Sequence, residues 1–341
     1  MALLEVEDLR VRFETHHGTV RAVGGVSFQL EEGETLGLVG ESGSGKSVTN
    51  LALMGLVPAP PGVVEASRME LAGRDLLGLT ERAWRRVRGK EVAMIFQDPM
   101  TSLNPLLTVG QQLDEVLRLH LSMGRSQRRR RCIEGLGDVG IPEPERRLAQ
   151  YPHELSGGMR QRVMIAMAPL CEPRVLLADE PTTALDVTIQ AQILELMKEL
   201  QHRRGTAVLL VTHDLGVVAG TSDRVLVMYG GRLVETAATG PLFERPAHPY
   251  TRGLLASVPT LDGEHDRPLE SIPGNPPDLA DLPRGCSFAP RCSVAGERCT
   301  QEEPDIQDLG PREAEEGRRA ACFEAARLLD GAAAHGQEER A

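Results

Sequence analysis

Eight consecutive residues, Gly40-Glu41-Ser42-Gly43-Ser44-Gly45-Lys46-Ser47, constrain this chain more than any other stretch. They follow the apolar run Thr35 to Val39 and fit in full the pattern G-x-x-x-x-G-K-[ST] in its strand–loop–helix setting. The glycines let the backbone curl until successive N–H groups point at one phosphate, and the helix that follows adds the positive end of its dipole. Lys46 supplies a mobile point charge for the outer phosphates, and Ser47 a hydroxyl placed to hold Mg²⁺. The loop predicts a nucleoside-triphosphate site and a fold that feeds a buried strand into a helix through a tight turn. In a chain with 35 glycines such a match can arise by chance, so its neighbours decide the matter.

A length of 341 residues suggests two domains, and 41% hydrophobic residues with 26% charged fit a globular protein with a sizeable core. Apolar runs all fall short of the ~20 residues of a membrane span. The longest candidate is Val163 to Cys171, and the N-terminus lacks the basic region of a signal peptide, so the chain is expected to stay in the cytoplasm. A net charge of -11 argues against a general nucleic-acid binder, whose affinity comes from neutralising phosphates with Lys and Arg. The run Arg128 to Arg131 is the local exception. It reads as a solvated helix face, the alternative being a docking or anionic-lipid patch; no aromatic residues are interleaved with it.

Periodicity places the rest. Leu3 to Leu9 alternates as a half-buried strand does, and Val23 to Leu30 is similar. Ser47 to Leu56 and Thr108 to Arg118 read as helices, and Glu91 to Phe96, Arg174 to Ala178 and Thr206 to Thr212 as buried strands. Between the last two, Ile189, Ile193, Leu196, Met197 and Leu200 share one helix face. That alternation implies an α/β fold with a parallel sheet covered by helices. Composition changes after Gly240, with ten of the 23 prolines between Pro241 and Pro290. Sequence of this kind is not expected to sustain regular helix or central strand.

Two further elements carry chemistry. The run Val175 to Ala178 delivers Asp179 and Glu180 at the C-terminal edge of a strand, where open α/β sheets bind their ligands. Asp179 is suited to holding magnesium and Glu180 to polarising an attacking water, because phosphoryl transfer asks for positioning and charge stabilisation. In Leu155-Ser156-Gly157-Gly158 a hydroxyl and two glycines precede a helical pattern, which makes a second anion site.

With Leu155 to Gly158 just upstream of the Asp179-Glu180 strand, the chain resembles the ATP-binding cassette (ABC) ATPases. The resemblance implies a P-loop NTPase cassette over residues 1–240. Such a cassette has a RecA-like parallel-sheet core, an antiparallel β subdomain and a helical subdomain near 99–153. It implies that Gln97 contacts magnesium and the attacking water. It also implies that Thr183-Ala184-Leu185-Asp186 crosses a dimer interface, with Asp186 near nucleotide, and that His213 is the switch histidine at the γ-phosphate. Phe13 is the best match for the adenine-stacking aromatic; core packing is the other reading of that residue, and His16 a distant substitute. ATP and Mg²⁺ are the implied ligands, sandwiched between two cassettes.

The stretches Ala93 to Pro105, Tyr151-Pro152-His153-Glu154 and Pro246-Ala247-His248-Pro249-Tyr250-Thr251 are similar to the ATPase subunits of the dipeptide, oligopeptide and nickel importers. That likeness implies a loop-rich C-terminal extension over 241–330, followed by a disordered tail at 331–341. It further implies a homologous second ATPase in a heterodimer, two membrane permease subunits, an extracytoplasmic solute-binding protein, and a place on the cytoplasmic face of the plasma membrane. Soluble ABC machines of nucleic-acid metabolism are the competing class, against which the single cassette and acidic balance count. Pro169 departs from the family pattern and is expected to end or kink the helix after Gly158. In the extension, Cys286, Cys292, Cys299 and Cys322 are spaced C-x5-C-x6-C-x22-C, wider than the close pairs zinc prefers. The resemblance implies a [4Fe–4S] cluster; zinc and packed or redox-labile thiols stay open. Cys132 and Cys171 are isolated and are expected to be buried as small hydrophobes.

Overall fold

Buried apolar runs become strands where the pattern is strongest. The computed structural model describes residues 2–98, 102–182, 186–258, 271–310 and 317–330, apart from the side chain of residue 204. Gly331 to Ala341, the expected tail, lies outside them. The chain divides into two units. One is built from the N-terminal residues to Glu5, Gln29–Thr35 and Glu70–Val211; the other from Val6–Phe28, Leu36–Met69 and the chain from Thr212 onward.

In the first unit the strands Val92–Ile95, Val175–Asp179 and Ala207–Val211 run parallel, with Val92 opposite Val175 and Val175 opposite Ala207. Every side chain in them is buried, which is why they read as continuous apolar runs. Helices Val109–His120, Arg125–Asp138, Gly157–Met167 and Val187–Arg204 belong to this unit. The first begins one residue after Thr108 because Thr108 caps it. The hydroxyl accepts from Gln111 N–H (3.2 Å) while the Gln111 side chain takes Thr108 N–H (2.8 Å). The helix that starts at Gly157, the signature helix, stops at Met167, and a 3-10 turn, Ala168–Cys171, carries Pro169, as a residue without an N–H donor requires. Cys132 and Cys171 are buried as expected, and burial pushes both thiols up to about 11. The Arg128–Arg131 run is only partly a solvated face. Arg128 holds Asp114 at 2.6 Å and Arg131 approaches Glu172 at 3.6 Å, while Arg129 and Arg130 are exposed.

In the second unit Leu36–Val39 runs parallel to Arg224–Val227, and Arg224–Tyr229 turns through Gly230 and Gly231 into the antiparallel strand Arg232–Ala238. Glu235 and Thr236 then pair with Ala320 and Arg319, so residues far along the proline-rich extension add strand to the sheet that carries the phosphate loop. Contrary to the expectation from composition, this extension also contains the helix Pro249–Ala256. Proline is tolerated at a first helical position, where its missing N–H has no partner to lose, and the His248 ring accepts Tyr250 N–H at 3.0 Å as a cap. Val39, Val225, Val227, Tyr229, Tyr250 and Phe288 form one core cluster. Beneath it Glu235, 0% exposed, accepts from Ala247 N–H and His248 N–H (both 2.8 Å) and pairs with Arg318 at 3.2 Å. The Arg318 guanidinium also donates to the Arg245 carbonyl. A buried carboxylate tolerates this position because hydrogen bonds replace its lost hydration.

His248 is 1% exposed, and burial depresses its imidazole to about 3. The folded state therefore holds it neutral, whereas an unfolded histidine takes up a proton near pH 6.5. Its contribution to stability is full above that pH and is lost as pH falls toward the folded value, with a slope of up to about 1.4 kcal/mol per pH unit. Urea midpoints measured from pH 8 to 4.5 should fall more steeply for the wild type than for His248→Gln.

Candidate functional site

The phosphate loop lies in the second unit, between the strand Thr35–Val39 and the helix Lys46–Leu53. Two of its glycines have no substitute. Gly40 has φ +155 and Gly45 φ +104, and a Cβ would strike the Met228 carbonyl oxygen at the first and the Ala22 carbonyl oxygen at the second. Lys46, 5% exposed, lays its ammonium over the loop, donating to the carbonyls of Gly40 (2.7 Å) and Glu41 (2.9 Å), with Ser44 Oγ at 3.5 Å. Ser44 is buried, Ser42 and Gly43 are exposed, and Ser47 is half-buried in the first helical turn. Helix Lys46–Leu53 has no acidic residue in its first turn, so nothing there opposes an anion at its positive end.

Glu41 is held from several sides, and nothing in the loop pattern marks it. Its N–H donates to the Tyr250 hydroxyl (2.8 Å), its carbonyl accepts from Lys46, and its carboxylate takes a two-pronged bond from Arg291 (2.6 and 3.0 Å). Prolines 276 and 277 line a small cavity of about 40 Å³ against Glu41, Ser42, Gly43 and Ser44. Phe13 is half-buried at the end of the Ala2–Thr15 strand, opposite Gly62. His213 is exposed immediately after the strand Ala207–Thr212, where Asp214 caps the next helix by accepting from Gly216 N–H (2.8 Å) and Val217 N–H (3.2 Å).

The first unit carries the carboxylates. Asp179 closes the Val175–Asp179 strand at 4% exposure, and Glu180 follows in a left-handed conformation, φ +47, which costs a residue with a side chain about 1–3 kcal/mol. The turn is fixed by Glu180 N–H donating to Val211 O (2.8 Å) and by Gln161 Nε2 donating to Pro181 O (2.8 Å). Gln97, exposed after the Val92–Ile95 strand, donates through Nε2 to Glu180 Oε2 at 3.0 Å. The glutamine and the glutamate singled out from the sequence therefore meet. Ser156 caps the signature helix, its hydroxyl facing Met159 N–H at 3.4 Å. Ser156 and Gly157 are exposed, and among the described residues nothing beyond the local backbone lies within 4 Å of a Cβ built on Gly157 or Gly158. Asp186 caps helix Val187–Arg204 by accepting from Ile189 N–H (3.0 Å); residues 183–185 lie outside the described chain.

Cys286, Cys292, Cys299 and Cys322 all line one small apolar cavity of about 20 Å³, with His248, Phe288, Val294 and Phe323. All four are free thiols, and Cys286 N–H donates to the Cys299 carbonyl at 2.8 Å, which holds those two segments together. Burial raises the thiols of Cys286 and Cys292, and that of Cys322 to about 11. Among the described residues no three His, Cys, Asp or Glu side chains are close enough to hold a single metal ion.

The ABC transporter family pattern matches residues 23–183, and the C-terminal region of oligopeptide/dipeptide transporters matches 234–299. The oligopeptide transport ATP-binding protein OppD of Bacillus subtilis (strain 168) is 55% identical over 304 residues, 89% of this chain and 85% of that protein. This chain belongs to the ATP-binding subunits of the oligopeptide and dipeptide ABC transporters. The dipeptide transport ATP-binding protein DppD of Escherichia coli (strain K12) is 50% identical over 322 residues, 94% of this chain and 96% of that protein. Among solved structures, the dimeric ATP-binding cassette MJ0796 in a post-hydrolysis state with ADP and Pi matches with a TM-score of 0.63 and 28% identity, covering 69% of this chain and 98% of that one. The ABC ATPase fold is the one the sequence implied.

Gly45→Ala should lower stability by at least about 1–3 kcal/mol, since the αL backbone and the Ala22 carbonyl both oppose a Cβ there. Thermal unfolding checks this, with Gly43→Ala as the milder comparison: it shares a positive φ of +80, but among the described residues only its chain neighbours lie within 4 Å of the added carbon.

Proposed function

We propose that this chain is the ATP-hydrolysing subunit that powers uptake of dipeptides or oligopeptides. Family membership carries the reading, and the Gln97–Glu180 contact at the end of the Asp179 strand supports it most directly. In it, the phosphate loop and Lys46 bind the β and γ phosphates, and Phe13 stacks on the adenine. Ser47, Gln97 and Asp179 hold Mg²⁺, an oxygen-rich set suited to that hard cation, which screens phosphate charge when bound. Glu180 orients and deprotonates the attacking water, with Gln97 fixing its carboxylate, and His213 reads the γ-phosphate. Ser156, Gly157, Gly158 and Asp186 serve the nucleotide held by a second, homologous ATPase subunit. Two permease subunits and an extracytoplasmic solute-binding protein complete the assembly at the cytoplasmic face of the plasma membrane. Residues 1–240 form the cassette in this reading, and 241–330 the extension.

Support for a further cofactor comes from four thiols lining one apolar cavity, since thiolates are the donor set of iron–sulfur clusters. Cys286, Cys292, Cys299 and Cys322 would hold a [4Fe–4S] cluster, which supplies one-electron redox chemistry when bound.

Glu180→Gln should keep ATP affinity within about threefold and lower turnover by at least ~100-fold, the range of a lost general base. Binding and phosphate-release assays on the purified variant check it, and near-wild-type turnover would remove Glu180 from its role. In cells carrying that variant, uptake of labelled di- and oligopeptides should stop; a fall in nickel uptake instead would replace the cargo assignment.

A further inference from the structure

Arg291 joins two places that the function keeps apart. Its guanidinium, 5% exposed, grips the Glu41 carboxylate with both Nη atoms, and its Nε donates to Pro273 O at 2.8 Å. Nη1 lies 3.3 Å from the Tyr229 hydroxyl, and the charge sits 5.8 Å from the centre of the Tyr229 ring. Planar two-pronged bonding of this kind fixes orientation as well as distance. The pairing with Glu41 outweighs burial and raises the Arg291 pKa, so the charge is permanent.

The other end of this connection is the cysteine cavity. Arg291 closes the 3-10 turn Ala289–Arg291, which is strung between Cys286 and Cys292. Ala289 N–H donates to Cys286 O (2.9 Å) and Cys292 N–H to Ala289 O (3.3 Å), so a displacement of either cysteine backbone displaces the turn. Phe288, in the same turn's cap position, lines the cavity and packs against Tyr250 (5.4 Å between ring centres) and Tyr229 (5.2 Å). Tyr250 is the residue whose hydroxyl accepts Glu41 N–H. Two routes, one ionic and one aromatic, thus run from the cavity to the same loop residue.

We propose that Arg291 is a positioning residue for the phosphate loop, and that through it the packing of the four-cysteine cavity sets the loop's affinity for nucleoside triphosphate. The proposal rests on the reading of Gly40–Ser47 as the triphosphate site. Arg291 is not assigned to the phosphates; it holds Glu41, whose carbonyl accepts from the Lys46 ammonium alongside that of Gly40. Filling or emptying the cysteine cavity would act by the same lever.

The test is the dissociation constant of N-methylanthraniloyl-ATP with Mg²⁺, measured on the full chain. Arg291→Ala should weaken binding by about tenfold, the scale of a lost charge-assisted pair that keeps some solvent, and should raise KM more than it lowers kcat. Arg291→Lys should recover only part of the loss. Cys292→Ser should weaken binding in the wild-type background and have a clearly smaller effect in Arg291→Ala, where only the aromatic contacts still connect the cavity to Glu41. Should Arg291→Ala fail to fold by circular dichroism, Glu41→Gln, which keeps the side-chain length and removes the charge, is measured in its place with the same expectation. Unchanged affinity in the charge-removing variant, or a Cys292→Ser effect of equal size in both backgrounds, would overturn the proposal. Lys46→Ala separates the two readings: if it binds as tightly as wild type, the assignment of the loop itself is wrong, and if it fails to bind while Arg291→Ala binds normally, only the proposal falls.

Discussion

A buried ammonium organises the unit that carries the phosphate loop. Lys46 is almost fully removed from water, and an unpaired ammonium in that position would cost several kcal/mol. The carbonyls of Gly40 and Glu41 meet that cost, and they can do so only if the backbone turns back on itself over six residues. The turn in turn demands positive φ values that glycine alone accepts without strain at positions 40 and 45. Met228 and Ala22 press their carbonyls into the space where side chains would be, and both come from strands that the loop must lie against. One charge therefore dictates the loop's composition and the closeness of its neighbours.

The carboxylate corner is built on a different economy. There the chain accepts backbone strain at Glu180 so that a strand end can present two acidic residues in different settings, one buried and one half-buried. The strain persists because hydrogen bonds on both sides over-determine the turn, Val211 holding the Glu180 peptide and Gln161 holding Pro181. Gln161 is a residue of the signature helix, so the helix start at Ser156 and the peptide that aims Glu180 share one hydrogen-bonded frame.

Much of this was legible in the sequence because it depends on local rules. The loop glycines, the apolar strand before Asp179, the Thr108 helix start and the break at Pro169 each follow from a short stretch and its backbone preferences. The Gln97–Glu180 contact was reachable only through the family resemblance, since 83 residues separate the two. The holds on Glu41 were not legible at all. Tyr250 and Arg291 reach it across 209 and 250 residues, and the glutamate occupies a position where the loop pattern accepts any residue. The strands Arg319–Ala320 and Gln307–Asp308 were likewise missed, because two-residue strands have no period to detect. The helix Pro249–Ala256 is masked by composition: the density of prolines after Gly240 argues against helix, whereas a proline at a first turn is compatible with one.

The core cluster around Tyr229 bears on how this protein could be shortened. Prolines accumulate after Gly240, and the change in composition there looks like a place to cut. Yet Tyr250 and Phe288 complete the hydrophobic packing over Val39, Val225 and Val227, and Arg319–Ala320 supplies the edge beside Glu235 and Thr236. A chain ending at the proline-rich border would leave a wet aromatic ring, a buried glutamate without its arginine and an unpaired sheet edge. Those are the ingredients of self-association, so a minimal cassette made from this sequence calls for redesign of that face as well as a stop codon.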